Sequence, residues 1–325
     1  MADRGNFGAE TTADEVLEGI DLSGKLVVIT GGASGLGQET ARAMAAKGSK
    51  IVIPVRDMAK GEAAREELIK AVPGAKIDLI EMDLGSLDSI RKFAEAFNDK
   101  YDHIDLLINN AGVMACPYGE TSDGFEMQFG TNHIGHFLMT NLLMPAVLKG
   151  AENGDGSGRI VNLSSRGHHR DHVHFEDVHF KTREYEKWAS YGQAKTANAL
   201  FSVGLEKRLA DKGVHSYAVH PGGIVTNLGR HLSQDDVAEL MARMKENSGE
   251  APVMKNVQAG AATSCYAATA PELESTGGVY LEDCHVANVD DDDMLGSVRS
   301  YALDAENAEK LWALSEEMVG QSFEY

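Results

Sequence analysis

The sequence predicts one doubly wound α/β domain, a seven-stranded parallel sheet with helices on both faces, and three observations carry that reading. Short β-branched runs alternate with longer helical patterns along the chain. A glycine-rich turn follows the first of these runs directly. No internal repeat or domain-scale linker breaks the order.

An N-terminal extension over residues 1–22 precedes a domain over 23–325. The first strand is KLVVIT (25–30), followed by a helix over 37–47. KIVIPV (50–55) is the second strand, and its helix, 59–71, is stopped by Pro73. KIDLIEM (76–82) leads into a helix over 86–100 with Ser86 as N-cap. The remaining strands are HIDLLIN (103–109), RIVNLS (159–164), VHSYAVH (214–220) and GVYLE (278–282). Near the C-terminus Asp304 caps a packing helix, in which Leu311, Leu314, Met318 and Val319 recur at helical spacing before Gly320.

With 50 acidic against 30 basic residues the net charge is -20, which argues against nucleic acid and anionic membrane as partners. No apolar run approaches the ~20 residues of a membrane span and residues 1–23 lack an apolar signal core, so membrane insertion is not expected and a cytoplasmic location is. Cys116, Cys265 and Cys284 are scattered and read as reduced buried thiols. The NLS triplet at Asn162 lies inside a strand pattern and reads as chance, and VDDDD (289–293) lacks EF-hand spacing and reads as a solvated loop.

The turn TGGASGLG (30–37) puts Gly31, Gly35 and Gly37 at the opening of a helix. Glycines there allow close backbone approach to a dinucleotide pyrophosphate, and the helix N-terminus attracts the anion. The second strand ends in VRD (55–57), where the guanidinium of Arg56 can pair with a 2′-phosphate. NADP is therefore favoured over NAD, which stays open because Asp57 is one residue away.

SYGQAK (190–195) sets Tyr191 and Lys195 at i and i+4 on one helical face. A phenol has a pKa near ~10, and an ammonium at ~4 Å in a medium of dielectric ~20 favours phenolate by roughly 4 kcal/mol, which would bring it near ~7. Tyr191 is thus expected to be a tuned proton donor and acceptor.

Further strings line up in order: MDL (82–84), NNAG (109–112), TNHIG (131–135), LSS (163–165), YGQAK (191–195) and HPGGIVTN (220–227). With the glycine turn, the series resembles the short-chain dehydrogenase/reductase family over about 22–285, a Rossmann fold, and VRDMAKGE, SSRGHH and GGVYLEDC resemble its retinol dehydrogenase and WW-domain oxidoreductase branch. Some enzymes of that branch carry an apolar membrane anchor ahead of the domain; its absence here weakens the case for a lipid substrate.

The resemblance implies a catalytic set of Asn132, Ser165, Tyr191 and Lys195, with Asn132 holding the helix that anchors a water relay behind the lysine. It implies Asp83 near adenine, Asn110, Ala111 and Gly112 along the adenosine ribose, and Ile224 and Thr226 near the nicotinamide amide and phosphates. Ser34, Leu36, Leu84, Pro221 and Gly222, from the same strings, complete the cofactor set, together with Tyr191 and Lys195. Ser164 and Ser165 face opposite ways if the strand persists, and the family pattern favours Ser165.

Five histidines (168, 169, 172, 174 and 179) lie between Ser165 and Tyr191, but no metal is expected, since His168 and His169 match the branch and the chemistry already has its acid. Residues 228–256, with Leu232, Val237, Leu240, Met241, Met244, Pro252 and Met254, read as an adaptable lid over a moderately apolar substrate pocket. The expected function is NADP-dependent interconversion of a carbonyl and an alcohol. A non-catalytic NADP(H)-binding regulator and a reductase of activated C=C bonds remain alternatives. A homodimer through helices at about 124–149 and 189–212 is left open, because the insertion before Tyr191 could obstruct that surface.

Overall fold

The computed structural model describes residues 6–153, 158–248 and 254–325. Residues 154–157, and 249–253 of the lid with Pro252 among them, lie outside the described residues. All seven expected strands form: β1 (Leu26–Ile29), β2 (Lys50–Val55), β3 (Lys76–Glu81), β4 (Leu106–Asn109), β5 (Arg159–Leu163), β6 (His215–His220) and β7 (Val279–Glu282). They pair in parallel in the order β3-β2-β1-β4-β5-β6-β7. The sheet has an eighth strand, β8 (His285–Val286), pairing antiparallel with β7. Two residues are too few to show alternation, so the sequence pattern could not register it.

Alternate residues of each strand feed opposite faces. Val28 and Val52 pack beneath α4 (Leu87–Lys100), α6 (Gly135–Ala151), α7 (Lys187–Leu209) and α10 (Ala305–Val319). Val27, Ile29, Ile51 and Ile53 pack against α1 (Ala13–Val16), α2 (Gly35–Ala45), α3 (Met58–Ala71) and α9 (Val257–Thr269). The N-terminal extension belongs to this second core: Ala13, Val16 and Leu17 are fully buried, and Thr12 starts α1 with a capping box to Glu15. Ser86 and Asp304 cap α4 and α10 as expected, and Gly320 ends α10 at φ 64°.

A three-residue turn, α5 (Met127–Phe129), runs through a π-helical turn (Gly130–Ile134) into α6. Along α6 only Pro145 and Lys149 are exposed. Its flank is covered by α10, whose Trp312 packs edge-on against Phe137 at 5.1 Å between ring centroids and sits under the Arg208 guanidinium at 3.9 Å. Arg208 also forks onto Glu309 at 2.8 and 3.0 Å. The helices considered for a homodimer are therefore packed against the chain's own C-terminal helix, a cover that the sequence reading had sought in the 166–187 insertion instead. The last helix before α9, α8 (Gln234–Ser248), occupies the lid position.

The three cysteines are free and buried. Asn162 is buried too, with its amide donating to Ser202 and Ser216, which removes it as a glycosylation acceptor. In the acid run, Asp290, Asp291 and Asp293 accept local backbone N–H groups and so shape a solvated turn.

Candidate active site

The strand order reverses between β1 and β4, and the loops leaving these two strands open a crevice at the carboxyl edge of the sheet. Gly31 turns at φ 68° beneath the β4 loop; a Cβ there would lie 2.8 Å from Asn110 Nδ2. Gly37 is tighter still, since a Cβ would come within 2.4 Å of both Gly31 O and Asn110 Nδ2. Ser34 is the N-cap of α2 but makes no side-chain cap bond, so the first N–H groups of that helix are left for an external acceptor. Thr226, in the loop after β6, faces Gly35 across this gap, 3.6 Å from where a Cβ would stand. Leu36 and Ile224 meet over Gly260 of α9, Gly222 turns at φ 97° against Lys255, and Pro221 precedes it.

Asn110, expected along a ribose, turns its side chain toward the glycine turn. Its Nδ2 donates to Thr30 O at 2.8 Å and fills the space that Gly31 and Gly37 leave, so its side chain braces the glycine turn. Ala111 and Gly112 continue the loop, and Gly112 sits where a Cβ would be 3.0 Å from Asn132 Oδ1 and 3.8 Å from Lys195 Nζ. Asp83 folds back to accept from Gly85 N at 2.9 Å, and Leu84 is buried against Gly135. Arg56 is exposed at the end of β2, and no ion pair engages it among the described residues. Asp57, the competing acid, caps α3 through Lys60 N at 3.1 Å and pairs with Lys60 Nζ at 3.3 Å.

Asn132 lies in the π-helical turn and is fully buried. Its amide clamps one residue of the β4 loop, accepting from Val113 N at 2.8 Å and donating to Val113 O at 2.9 Å. Ser164 and Ser165 separate as strand alternation requires. Ser164 Oγ donates to Lys195 O at 2.7 Å, whereas Ser165 Oγ accepts from Gly167 N at 3.0 Å on the side of Tyr191. Gly167 was not singled out in the sequence, yet it holds the two together: a Cβ there would be 2.7 Å from Tyr191 Cε1 and 3.3 Å from Ser165 Oγ. Its only signal was a small residue two positions after the serine.

The expected acidification of Tyr191 is not found. Burial pushes its pKa up to about 12, against an opposing pull from Ser165. Burial likewise pushes Lys195 down to about 8. The lysine Nζ stands 5.7 Å from the tyrosine ring centroid and donates to Leu163 O at 2.8 Å. Desolvation of two adjacent groups outweighs their mutual attraction. Of the three N–H donors on the ammonium, two remain for other partners.

Chain similarity accords with this arrangement. Residues 25–237 match the family model described as short chain dehydrogenase. The chain belongs to the short-chain dehydrogenase family. It is 38% identical to the short-chain dehydrogenase/reductase prx1 of Penicillium roqueforti, across 99% of this chain and 94% of that one. Identity to retinol dehydrogenase 12 of Homo sapiens is 39%, across 94% of this chain and 89% of that protein. Among solved structures, a protein from Mycobacterium Paratuberculosis superposes with a TM-score of 0.69 at 34% identity, covering 94% of this chain and 97% of that one. RhlG of Pseudomonas aeruginosa, solved as an NADP active-site complex, shares the fold at a TM-score of 0.62 and 22% identity, covering 80% of this chain and 95% of that one. The branch seen in the sequence strings is thus borne out, and family membership makes the protein an oxidoreductase.

The insertion that sets the histidines apart folds onto α7. His168 is fully buried, with Nδ1 donating to Ser165 O at 2.8 Å and Nε2 accepting from Arg299 N at 3.1 Å. His179 accepts from Glu126 N at 3.2 Å. Asp171, His172 and His174 form a cluster whose carboxylate is engaged by His174 Nε2 at 2.8 Å and by Arg183 at 3.3 Å. No helix among the described residues is long and apolar enough to cross a membrane.

Proposed function

We propose that the protein is an NADP-dependent oxidoreductase interconverting a carbonyl and an alcohol, with Tyr191 as acid/base, Ser165 as ligand of the substrate oxygen, and Lys195 and Asn132 in support. The observation that carries this is the convergence of Ser165 and the Tyr191 ring on Gly167, beside Lys195 and the switch-point crevice. The crevice fits a dinucleotide: three glycines admit close approach and the α2 N-terminus lacks its own cap. Gly31, Gly35, Gly37, Thr226 and the backbone of 110–112 would hold it, with Lys195 reaching its ribose through the two remaining N–H donors. A bound nicotinamide supplies hydride chemistry.

A phenol kept neutral by burial is ready to give a proton to a carbonyl oxygen as negative charge develops there. Ser165 Oγ can donate to the same oxygen, and Lys195 stabilises the phenolate left behind. Preference for NADP is supported by Arg56, exposed and without an ion-pair partner among the described residues, and by the engagement of Asp57 with its own helix.

The test is steady-state oxidation of NADPH and NADH with aliphatic, aromatic and retinoid-like aldehydes and ketones, the last class suggested by the retinol dehydrogenase relative. Turnover with a specificity constant at least about tenfold higher for NADPH is the expected result. Cofactor binding without turnover on any carbonyl would favour a regulator, and a clear NADH preference would overturn the role of Arg56.

A further inference from the structure

We propose that His136 is a positioning residue that couples the cofactor loops to the catalytic turn, a role that rests on the enzymatic reading above. The ring is buried one helical turn after Asn132, and its two nitrogens bond in opposite directions. Nδ1 lies 2.9 Å from Asn132 O, an atom that can only accept, so Nδ1 carries the hydrogen. Burial, with a smaller push from the nearby Lys195 charge, brings the pKa of His136 down to about 4, so the ring is neutral and Nε2 is an acceptor. Its partner at 2.9 Å is Thr30 Oγ1, whose single hydrogen therefore points at the ring in preference to Ile108 O, which is 3.5 Å away.

That orientation leaves the Thr30 oxygen free to accept, and it takes Asn110 N at 2.9 Å and Ala111 N at 3.0 Å. One imidazole thus fixes the hydroxyl that gathers the first two amides of the β4 loop. It also holds the carbonyl of the residue whose amide clamps Val113, three residues further along the same loop. Both ends of the cofactor loop, 110–111 and 113, are tied through this ring and its helical neighbour. A leucine would pack there as well as histidine does, but it would supply neither bond and leave the Thr30 hydroxyl without its direction.

The two nitrogens can be separated by substitution. In H136N the amide takes the place of Nδ1 and can still donate to Asn132 O, whereas in H136Q the longer amide takes the place of Nε2 and can still accept from Thr30. Measured on the full chain by NADPH fluorescence titration and by turnover on the best carbonyl substrate of the wild type, H136N should weaken NADPH binding by about fivefold or more with kcat largely kept. H136Q should lower kcat by about tenfold with NADPH affinity largely kept. Thr30→Val, nearly isosteric, should reproduce the binding defect of H136N, and this arm needs neither a folded His136 variant nor a substrate. If NADPH affinity is unchanged in T30V, or if the asparagine and glutamine variants lose affinity and kcat together in proportion to a fall in Tm, the coupling role is wrong. A wild type that binds NADPH without turnover would instead sink the enzymatic reading and leave the Thr30 arm to decide the loop connection.

Discussion

An ion pair between Lys187 and Asp236 joins helices α7 and α8, which are built to opposite specifications. Every residue of α7 from Ser190 to Ser202 is buried, Tyr191 and Lys195 included. Among the described side chains of α8 none is buried; Val237 is 41% exposed, and Leu240 and Met241 are half-buried. The groups proposed to move protons are held by a packed interior that fixes their distances and suppresses their ionisation. The helix proposed to cover the substrate entrance is packed loosely among the described side chains, as an adaptable lid requires.

The contrast breaks if the interior helix tolerates loss of its reactive groups. Tyr191→Phe keeps the ring that fits against Gly167 and deletes only the hydroxyl. Turnover should fall by ~10²-fold or more while NADPH affinity, read by fluorescence, changes little. Near-normal turnover would move the acid elsewhere.

Lys195 gives the same contrast in stability. Its pKa of about 8 lies below the 10.5 of a free lysine, so between those values the unfolded chain binds more protons than the folded one, and folding becomes more favourable as pH rises. Below about pH 8 the buried charge costs up to about 3 kcal/mol relative to an exposed lysine. Lys195→Met should raise Tm of the cofactor-free protein at pH 7 and flatten the rise that the wild type shows between pH 8 and 10. Leu163 O keeps a donor in the variant, because Asn198 Nδ2 also bonds it at 2.9 Å. Activity should be lost as stability is gained, the pattern of a residue retained for function. Equal pH profiles for the two proteins would show that the amine is not desolvated.

A smaller effect is expected at Gly167. A methyl group there meets the edge of the Tyr191 ring at 2.7 Å, and the ring, packed on its other sides, can yield only by shifting its hydroxyl from Ser165. Gly167→Ala should lower kcat about tenfold with NADPH affinity unchanged. Unaltered kcat would mean that the ring can adjust, and that α7 is less rigid than its burial implies.

These positions also show what a sequence carries. The glycine turn, the Tyr191–Lys195 spacing and the alternation of strands and helices were legible because each is a short-range pattern: a turn after a strand, two residues one helical turn apart, runs of alternating length. Caps at Ser86 and Asp304 were legible for the same reason. The bonds of Lys195 to Leu163, Asn110 to Thr30 and His136 to Thr30 join residues 32, 80 and 106 positions apart, and no local pattern announces them. The pKa of Tyr191 was misjudged on the same account. Spacing revealed the cation, while the burial that outweighs it is a property of the whole packed helix. Arg56 and Asp57 stood as rivals in the sequence, and it took the α3 cap to show that the acid is occupied.

The ion pair between the two helices allows the finest test. Asp236 does more than bridge: it accepts from Ser233 N and Ser233 Oγ, each at 2.8 Å, so replacing it would also disturb the turn that starts α8. Lys187 is the cleaner change, since its ammonium pairs with Asp236 while its backbone carbonyl accepts from Gln128 Nε2, a bond that any side chain leaves in place. The hydrogen bond to Lys187 and the Ser233 groups hold the Asp236 carboxyl down at about 2, so the bridge persists through any working pH and is lost only as pH falls through that value. A single bridge with a partly exposed ammonium makes only a modest contribution, so a small change is expected. Lys187→Met should raise KM for the carbonyl by about threefold, leave kcat and Tm nearly unchanged, and abolish a dependence of KM on salt that the wild type shows. If kcat falls instead, the lid helix is coupled to the chemistry of α7, and the division between a rigid proton-transfer helix and a loosely held cover is wrong.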